Sequence, residues 1–255
     1  MIVDVNAFIG RWPFWPIPAC SAEQVSLELA RCGIERAAIC STRSVFVHCA
    51  DGNAEAEAAA QRHPDRFIAW ACLGPLETTT GRTRGSLDLG EYAARDFRGV
   101  RIYPQHHSYH PLYTAFLDGL LEQATARRWP VMLPLRITMN WAMPMLGLDL
   151  IDALISRHPR VPWVLAGINY LHELELARTL MRRYETVHLE TSCIMGFEAV
   201  AGLVNDCGAE RILFGSGAPV QHGAAGLTKI LHAAVSDTVR EQILGANARR
   251  LMNMG

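Results

Sequence analysis

The chain has 255 residues, of which half are hydrophobic, and a formal net charge of -1 at pH 7. This length suits one large or two small domains, and since composition does not shift along the chain we expect a single domain over residues 1–255. No basic block stands out, so neither nucleic acid nor an anionic membrane surface is expected as a partner. No apolar run is long enough to span a bilayer, and no charged segment followed by an apolar one succeeds Met1. We therefore expect a cytoplasmic protein.

Cysteine and lysine usage excludes several chemistries. The seven cysteines are odd in number and show no CxxC spacing, which predicts neither a disulfide framework nor a zinc knuckle. Most of them are expected to be small core residues. Lys229 is the only lysine and falls in a helical pattern, where a solvated surface position is expected. A Schiff-base mechanism would have to rest on that one residue.

Strand-like and helix-like patterns alternate along the whole chain. The predicted strands are residues 2–8, 36–41, 67–73, 99–103, 131–135, 163–168, 187–191 and 212–216. The predicted helices are residues 21–32, 53–63, 87–95, 112–128, 149–158, 171–184 and 197–206, with more helix from Ala225 onward. Ser21 and Asp149 are the predicted N-caps of the first and fifth of these helices, and residues 77–86 form a Thr- and Gly-rich loop.

This alternation predicts a parallel sheet with right-handed crossovers. Eight units at this length favour an α/β fold of the (β/α)8 TIM-barrel type, a parallel eight-stranded barrel with an extra C-terminal helix. The doubly wound alternative lacks its signature, because no GxGxxG follows the first strand and no GxxxxGK[ST] occurs. In a barrel, the active site lies at the carboxyl ends of the strands.

The stretch RGVRIYPQHHSYHP, residues 98–111, is chemically the richest such strand end. Arg101 and Tyr103 share one face of the strand because side chains alternate along it. Three histidines follow within one short loop, namely His106, His107 and His110. Any single one of them is better explained as an ordinary surface residue, but the cluster indicates function, since imidazoles serve as acid, base, ligand or anion-binding donor.

Other strand ends add to the same predicted mouth. They contribute Asn6, Phe8, Arg136, Asn169, Glu190 with Ser192, and the segment 216–222 that includes His222. A buried guanidinium is costly unless it is paired, and its planar fork suits a carboxylate. Pairing with Glu190 or Asp4 is the structural alternative for either arginine, whereas two arginines at one mouth favour an anionic substrate.

Proton transfer at this mouth is assigned to Tyr103 and His106. A neighbouring cation would lower the pKa of Tyr103 and help it act as a base, although an interior ring with a satisfied hydroxyl is the alternative. Asn6 and Asn169 are candidates for orienting a carbonyl or hydroxyl group. The apolar loop at residues 12–18 and a similar stretch at 139–145 indicate a lid or pocket wall, with a subunit contact as the alternative.

Six segments resemble the amidohydrolase-related, metal-dependent hydrolase-like barrels. They are VDVNAFIGRWP, HPDRF, GVRIYPQHHSYHPLY, PVML, ILFGSGAP and GANARRLM, in the family's order and nearly spanning the chain. The resemblance implies the same barrel. It also implies metal ligands, which the family places in a His-x-His at the first strand, histidines on the fifth and sixth, and an aspartate on the eighth. The matching positions in this sequence are Asn6, Phe8, Pro134, Gly167 and Gly217.

These residues cannot supply the family's ligand set, so we expect no catalytic metal and no other cofactor. Some members of the superfamily work without metal, notably lactone hydrolases and lactone isomerases. The resemblance, together with the two arginines that favour an anionic substrate, therefore predicts a metal-independent hydrolase acting on a small carboxylated carbonyl compound such as a lactone. A lactone isomerase, a decarboxylase and a non-catalytic binding barrel remain the alternatives.

The expected roles divide into two groups. The expected catalytic residues are Arg101, Tyr103, His106 and Glu190. The expected substrate-binding residues are Asn6, Phe8, His107, His110, Arg136, Asn169 and His222. The expected partner is a small-molecule carboxylate, and a homodimer is left open.

Overall fold

The computed structural model describes residues 1–76, 87–139, 143–196 and 198–254. The predicted loop 77–86, the middle of the apolar stretch 139–145 and the predicted start of a helix at Phe197 lie outside the described residues. The strands are β1 (Val3–Ile9), β2 (Arg36–Ser41), β3 (Phe67–Ala69), β4 (Ala71–Cys72), β5 (Val100–Arg101), β6 (Val131–Pro134), β7 (Trp163–Ala166), β8 (Val187–Glu190) and β9 (Ile212–Leu213).

All neighbouring strands pair in parallel and in sequence order, as β1-β2-β3 and as β4 to β9. The predicted third strand is interrupted at Trp70, whose backbone N–H still donates to Ile39 in β2. Val5 of β1 donates its N–H to Phe214 beyond β9, and Gly217 donates to Asn6. The first and last strands are therefore neighbours, as the (β/α)8 TIM barrel requires.

Helices follow most strands and cover the outer face of the barrel. They are α1 (Ala22–Arg31), α2 (Thr42–Phe46), α3 (Cys49–Arg62), α4 (Leu89–Ala94), α5 (Ala115–Arg127), α6 (Leu148–Arg157), α7 (Leu171–Arg183), α8 (Ala199–Cys207), α9 (Gly223–Leu231), α10 (Asp237–Glu241), a π-helical turn (Gln242–Ala246) and α11 (Asn247–Leu251). Within the described ranges, no helix has the length and apolarity needed to cross a membrane.

The N-termini of two helices can be compared with their predicted N-caps. Ser21 caps α1 as predicted, in a capping box that it forms with Gln24. The cap predicted at Asp149 is wrong, because α6 is capped by Gly147 and Asp149 lies in the first turn. There its carboxylate still faces the positive end of the helix dipole.

Two apolar layers hold the fold together. The larger one packs the outward side chains of the strands against the helices. The smaller one fills the barrel and is formed by Val3, Val5, Ala38, Ile68, Trp70, Met132, Val164, Ala166, Leu213, Ala248 and Met252. A register shift in β1 between Asp4 and Ala7 accompanies a change of side, so that Phe8 joins the buried residues at the mouth.

Candidate active site

Arg101 lies at the centre of the mouth and is fully buried. Its Nη1 donates to Asn6 Oδ1 at 2.9 Å, and Nη2 donates to the carbonyl oxygens of Ala38 at 2.9 Å and Val5 at 3.3 Å. No described carboxylate lies within 4 Å of it, and Nε has no acceptor among the described residues. Direct pairing of Arg101 with Glu190 or Asp4 is therefore wrong. Neutral oxygens surround a buried cation that is expensive without a counter-charge.

Two aromatic rings also flank this guanidinium. The centre of the Arg101 guanidinium is 5.1 Å from the Phe8 ring centroid and 5.7 Å from that of Trp70. Cation–π contacts of this kind contribute attraction but carry no net negative charge. They do not neutralise the positive charge of Arg101.

A chain of hydrogen bonds links Arg101 to the buried carboxylate of Glu190. Asn6 Nδ2 donates to Ser192 Oγ at 3.3 Å, and Ser192 Oγ donates to Glu190 Oε1 at 2.7 Å. The Ser192 N–H donates to Glu190 Oε2 at 2.8 Å, and the Gly167 N–H to Oε1 at 3.2 Å. The carboxylate of Glu190 thus orients Ser192, and through it the amide that faces Arg101.

Lys229 is not at the solvated surface position expected from the sequence. Its half-buried Nζ donates to the carbonyl oxygens of Thr191 at 2.8 Å and Ser192 at 2.7 Å. Burial lowers the pKa of Lys229, while the charge of Glu190 opposes this shift. The only lysine of the chain fastens α9 to the segment after β8. That Lys229 is the only lysine could be seen in the sequence. Its hydrogen-bond partners could not, because they are distant from it along the chain.

Arg136 has the counter-charge that Arg101 lacks. Both oxygens of Glu173 accept hydrogen bonds from its guanidinium, one of them at 3.0 Å from Nη1. Both side chains are buried, at 3% and 0% exposure. The expected alternative partners, Glu190 and Asp4, are wrong for this arginine. Glu173 was not predicted as the partner of Arg136, because it lies in a helix, three residues after the loop that follows β7.

The ion pair of Arg136 and Glu173 also positions the loops at the mouth. Glu173 Oε2 accepts the N–H of Asn169 at 2.8 Å and that of Tyr170 at 3.0 Å. Asn169 Oδ1 accepts the N–H of Met195 at 3.0 Å, which ties the loop after β7 to the loop after β8. Arg136, Glu173 and Asn169 therefore fix the loops after β7 and β8, and Glu173 neutralises the charge of Arg136.

Tyr103 and His106 adjoin Arg101 and have complementary protonation. Burial raises the pKa of Tyr103 well above its usual value, although the charge of Arg101 and its hydrogen bond to the hydroxyl lower it. The cation therefore acts on the pKa of Tyr103 in the expected direction, but burial outweighs it, so the expectation that Tyr103 becomes a base is wrong. Burial lowers the pKa of His106 to about 4, and His107 adds to this. At neutral pH the tyrosine is a proton donor and the imidazole a proton acceptor.

The geometry around His106 leaves one nitrogen available. Its ring meets that of Tyr103 edge-on, with centroids 6.2 Å apart. Nε2 is buried and has no hydrogen-bond partner in the described part of the chain. A buried polar atom without a partner is costly and indicates a missing water or ligand.

An aromatic wall flanks this imidazole. Phe46 lies 5.3 Å from the His106 ring and 5.2 Å from that of Trp12, between centroids. Trp12 is buried and packs on Trp15, whereas Phe14 is 54% exposed. The apolar loop after β1 therefore does line the site, and it shields one side of His106 from water.

The remaining histidines face other directions. His110 is exposed and accepts the N–H of Leu112 through Nδ1 at 3.3 Å. His222 is also exposed and caps α9 by accepting from Ala224 at 3.2 Å. His107 turns towards Ser44 and towards Cys49 and Cys72, two cysteines that show no CxxC spacing in the sequence. The loop thus separates its three imidazoles, and His106 is the one next to Tyr103 and the aromatic wall.

The residues at the family's metal positions do not fit a divalent cation. Asn6 Oδ1 accepts from Arg101, and the Phe8 ring covers the same guanidinium. Gly167 has φ +71°, and a Cβ there would overlap the backbone of Arg136, so no ligand side chain can be accommodated. A guanidinium stands beside the positions from which the first strand would hold a metal.

Comparison with known proteins gives the family. No curated protein matches the chain. The structure of an uncharacterised TIM-barrel protein from Bordetella bronchiseptica is 19% identical, with a TM-score of 0.76 and coverage of 99% of this chain and 98% of that one. A 2,6-dihydroxybenzoate decarboxylase complexed with 2,6-dihydroxybenzoate is 16% identical, with a TM-score of 0.76 and 99% coverage of both chains.

A 5-carboxyvanillate decarboxylase from Novosphingobium aromaticivorans with bound manganese is 14% identical, with a TM-score of 0.69 and coverage of 100% of this chain and 97% of that one. At these identities the likeness shows the barrel fold alone. The sequence model of the amidohydrolase family matches residues 11–253. The chain therefore belongs to the amidohydrolase family.

Proposed function

We propose that the chain is an enzyme that hydrolyses a small carboxylated carbonyl compound, such as a lactone, without a metal at the family's position. The observation that carries the proposal is the buried guanidinium of Arg101, which has no described carboxylate partner and stands beside a protonated Tyr103 and a neutral His106. Membership of an enzyme family supports catalysis in general.

Substrate binding starts from the charge of Arg101. A carboxylate that accepts from its Nε–H would supply both the missing acceptor and the missing counter-charge. The ring of Phe8 and the aromatic loop around Trp12 provide an apolar wall for the rest of a small molecule. Asn6, held by Ser192 and Glu190, fixes the guanidinium in place.

Hydrolysis then needs one base and one proton donor. His106 Nε2 takes a proton from a water molecule whose oxygen attacks the lactone carbonyl carbon. The Tyr103 hydroxyl donates a hydrogen bond to the carbonyl oxygen as negative charge develops on it. The ring C–O bond breaks, the leaving oxygen takes the proton back from the imidazolium, and a hydroxy acid is released. Glu190 acts through Ser192 and Asn6, so it is a positioning residue in this scheme.

Decarboxylation is the second candidate, and one observation favours it. A raised pKa keeps Tyr103 protonated beside the anion site, which suits delivery of a proton to the carbon that loses carbon dioxide. Both decarboxylases described above, which are structural neighbours, act on aromatic carboxylates. A substrate panel separates the two reactions, since one releases carbon dioxide and the other a ring-opened hydroxy acid.

The anion site is tested with Arg101→Met and a panel of small carboxylates. The wild-type protein should gain melting temperature with a bound carboxylate, and the variant should lose that gain, because truncating a charged contact in a shielded pocket costs roughly 2 to 5 kcal/mol. Arg31→Met is the matched control, since that arginine is exposed on α1. Equal ligand-induced shifts in wild type and Arg101→Met would contradict the proposal.

The catalytic assignment has its own test. His106→Ala should reduce turnover by about 100-fold or more, the usual contribution of a general base, and leave carboxylate binding intact. Full turnover in that variant would remove His106 from the mechanism. Loss of binding together with turnover would instead assign His106 to the substrate pocket.

A further inference from the structure

A group of side chains that are potential metal ligands lies beside the mouth, on the side of β2, β3 and β4. It consists of Cys49 at the start of α3, Cys72 at the end of β4, and His107 in the loop after β5. The two Sγ atoms and the imidazole nitrogen all lie within 4.8 Å of one another. Three segments that are distant in sequence therefore bring soft donor atoms to one point.

The backbone carbonyl of Ser44 marks that point. Its oxygen is 3.4 Å from Cys49 Sγ, 3.5 Å from Cys72 Sγ and 3.2 Å from His107 Nε2. A carbonyl oxygen has two lone pairs, so three donors exceed what it can accept. Hydrogen bonding to this oxygen alone does not account for the convergence.

The spacing is close to that of a tetrahedral metal site. Bonds of about 2.3 Å to sulfur and about 2.0 Å to nitrogen place the ligand atoms about 3.5 to 3.8 Å apart. Cys49 Sγ and His107 Nε2 are 4.0 Å apart and no pair of ligand atoms is more than 4.8 Å apart, so the group has to contract by at most about 1 Å. The Ser44 oxygen already lies near the distance expected of a fourth vertex.

Neighbouring residues hold the donors in these positions. The backbone of Cys72 is fixed by Asn53, which accepts its N–H at 2.8 Å and donates to its carbonyl at 2.9 Å. The ring of His107 lies on Gly74, where a Cβ would come within 2.6 Å of Nδ1. A side chain at residue 74 would displace the imidazole, so the glycine leaves the space that the ring needs.

We propose that Cys49, Cys72 and His107 bind one zinc ion, with the Ser44 carbonyl oxygen as the fourth donor. Thiolate and imidazole are the ligands that zinc prefers. Two thiolates balance the charge of Zn²⁺, so the complex is neutral and suits a buried position beside the Arg101 cation. A further thiol, Cys40, lies 3.2 Å from Ser44 Oγ and remains outside the ligand group.

This site is distinct from the family's metal positions, and it departs from the expectation that the chain holds no metal. The family positions lie on β1 and β6 and just after β7 and β9, whereas the new donors come from α2, α3, β4 and the loop after β5. An ion here would fasten the loop that carries His106 to α3. Its role is to order the mouth, and it is independent of the reaction proposed above.

The experiment titrates chelator-treated, reduced full-length protein with Zn²⁺ in a calorimeter. One equivalent should bind, about two protons should be released per ion as the thiols ionise, and the melting temperature should rise. Cys49→Ser and His107→Gln should each weaken binding by more than about 100-fold, beyond the usual loss from an outer-shell substitution. Cys207→Ser is the matched control, because that cysteine lies outside the group and should leave the titration unchanged.

A second measurement covers variants that fail to fold. Co²⁺ bound to the wild-type protein should show a thiolate-to-cobalt charge-transfer band, which requires cysteine ligands. The proposal is overturned by one-equivalent binding that survives in the Cys49→Ser, Cys72→Ser double variant. Absence of a stoichiometric titration in folded wild-type protein would overturn it too, as would a Cys49–Cys72 disulfide in place of metal uptake.

Discussion

At the scale of single residues, two buried arginines near one mouth have different surroundings. Arg136 is held by a carboxylate of α7, whereas Arg101 is held by an amide, carbonyl oxygens and aromatic rings. For Arg136, the ion pair with Glu173 offsets the free-energy cost of burying the charge. For Arg101 the surrounding groups offset this cost only in part. We therefore assign ligand binding to Arg101 and a structural role to Arg136.

Arg136→Met should lower the free energy of unfolding by about 3 to 5 kcal/mol, because the carboxylate of Glu173 would remain buried without its partner. Adding Glu173→Gln should restore much of the loss, since the amide oxygen still accepts from Asn169 and Tyr170 but carries no charge. Urea unfolding measures both variants. A double variant no more stable than the single one would contradict the buried-charge explanation, as would rescue of the single variant by carboxylates.

The pH dependence of stability follows from two histidines and one aspartate. Burial lowers the pKa of both His106 and His188 to about 4. Between about pH 6.5 and 4 the unfolded chain binds protons at these positions that the folded chain does not. Their contribution to the free energy of unfolding is therefore full above pH 6.5 and is lost as the pH falls to 4.

Asp4 acts in the opposite sense over part of this range. Burial raises its pKa to about 6, so its contribution is full below its unfolded pKa and is lost as the pH rises through 6. With two histidines against one aspartate, stability should fall from pH 6.5 to 4. The fall should be shallower in His188→Gln and steeper in Asp4→Asn, as measured by urea unfolding at each pH. Identical slopes in all three proteins would exclude these groups as the cause.

At the scale of elements, sequence periodicity was enough to predict the strands and their order. Alternation placed Arg101 and Tyr103 on one face of the predicted strand 99–103; β5 itself ends at Arg101, and both side chains are buried. The interruption at Trp70 and the register shift in β1 could not be predicted, because a bulge depends on how neighbouring strands pair. The Glu173 partner of Arg136 and the group of Cys49, Cys72 and His107 could not be predicted either, because residues distant in sequence come together only when the helices pack.

Helix packing provides a matched pair of glycine substitutions. A Cβ at Gly52 in α3 would overlap the backbone of Ser44 in α2, whereas a Cβ at Gly119 in α5 would meet nothing within 4 Å. Gly52→Ala should therefore destabilise by about 1 to 3 kcal/mol through overpacking. Gly119→Ala should stabilise by about 0.5 to 1 kcal/mol, because alanine loses less entropy in a helix. Thermal unfolding compares them, and effects of the same sign would contradict this account of α2 and α3.

At the scale of the whole molecule, both ends of the chain belong to one core. Met252 lies with Val3, Val5 and Trp70 in the layer that fills the barrel, and its sulfur accepts the indole N–H of Trp70 at 3.3 Å. Asn247 donates to the carbonyl oxygens of Ala209 at 2.7 Å and Ile212 at 2.9 Å. The last helix is thereby attached to β9, and the first strand is hydrogen-bonded to the segment beyond β9.

This arrangement predicts that the chain unfolds as a single domain. Tryptophan fluorescence and far-UV circular dichroism should give coincident transitions, because no part of the barrel can keep its core when another part opens. Met252→Ala should shift both transitions equally, by about 2 to 5 kcal/mol, since it leaves a cavity among interior side chains. Met254→Ala, at a half-buried position on the edge of that layer, should cost less. Two separate transitions, or a Met252→Ala shift seen by one probe only, would show that the N-terminal and C-terminal strands form independent units.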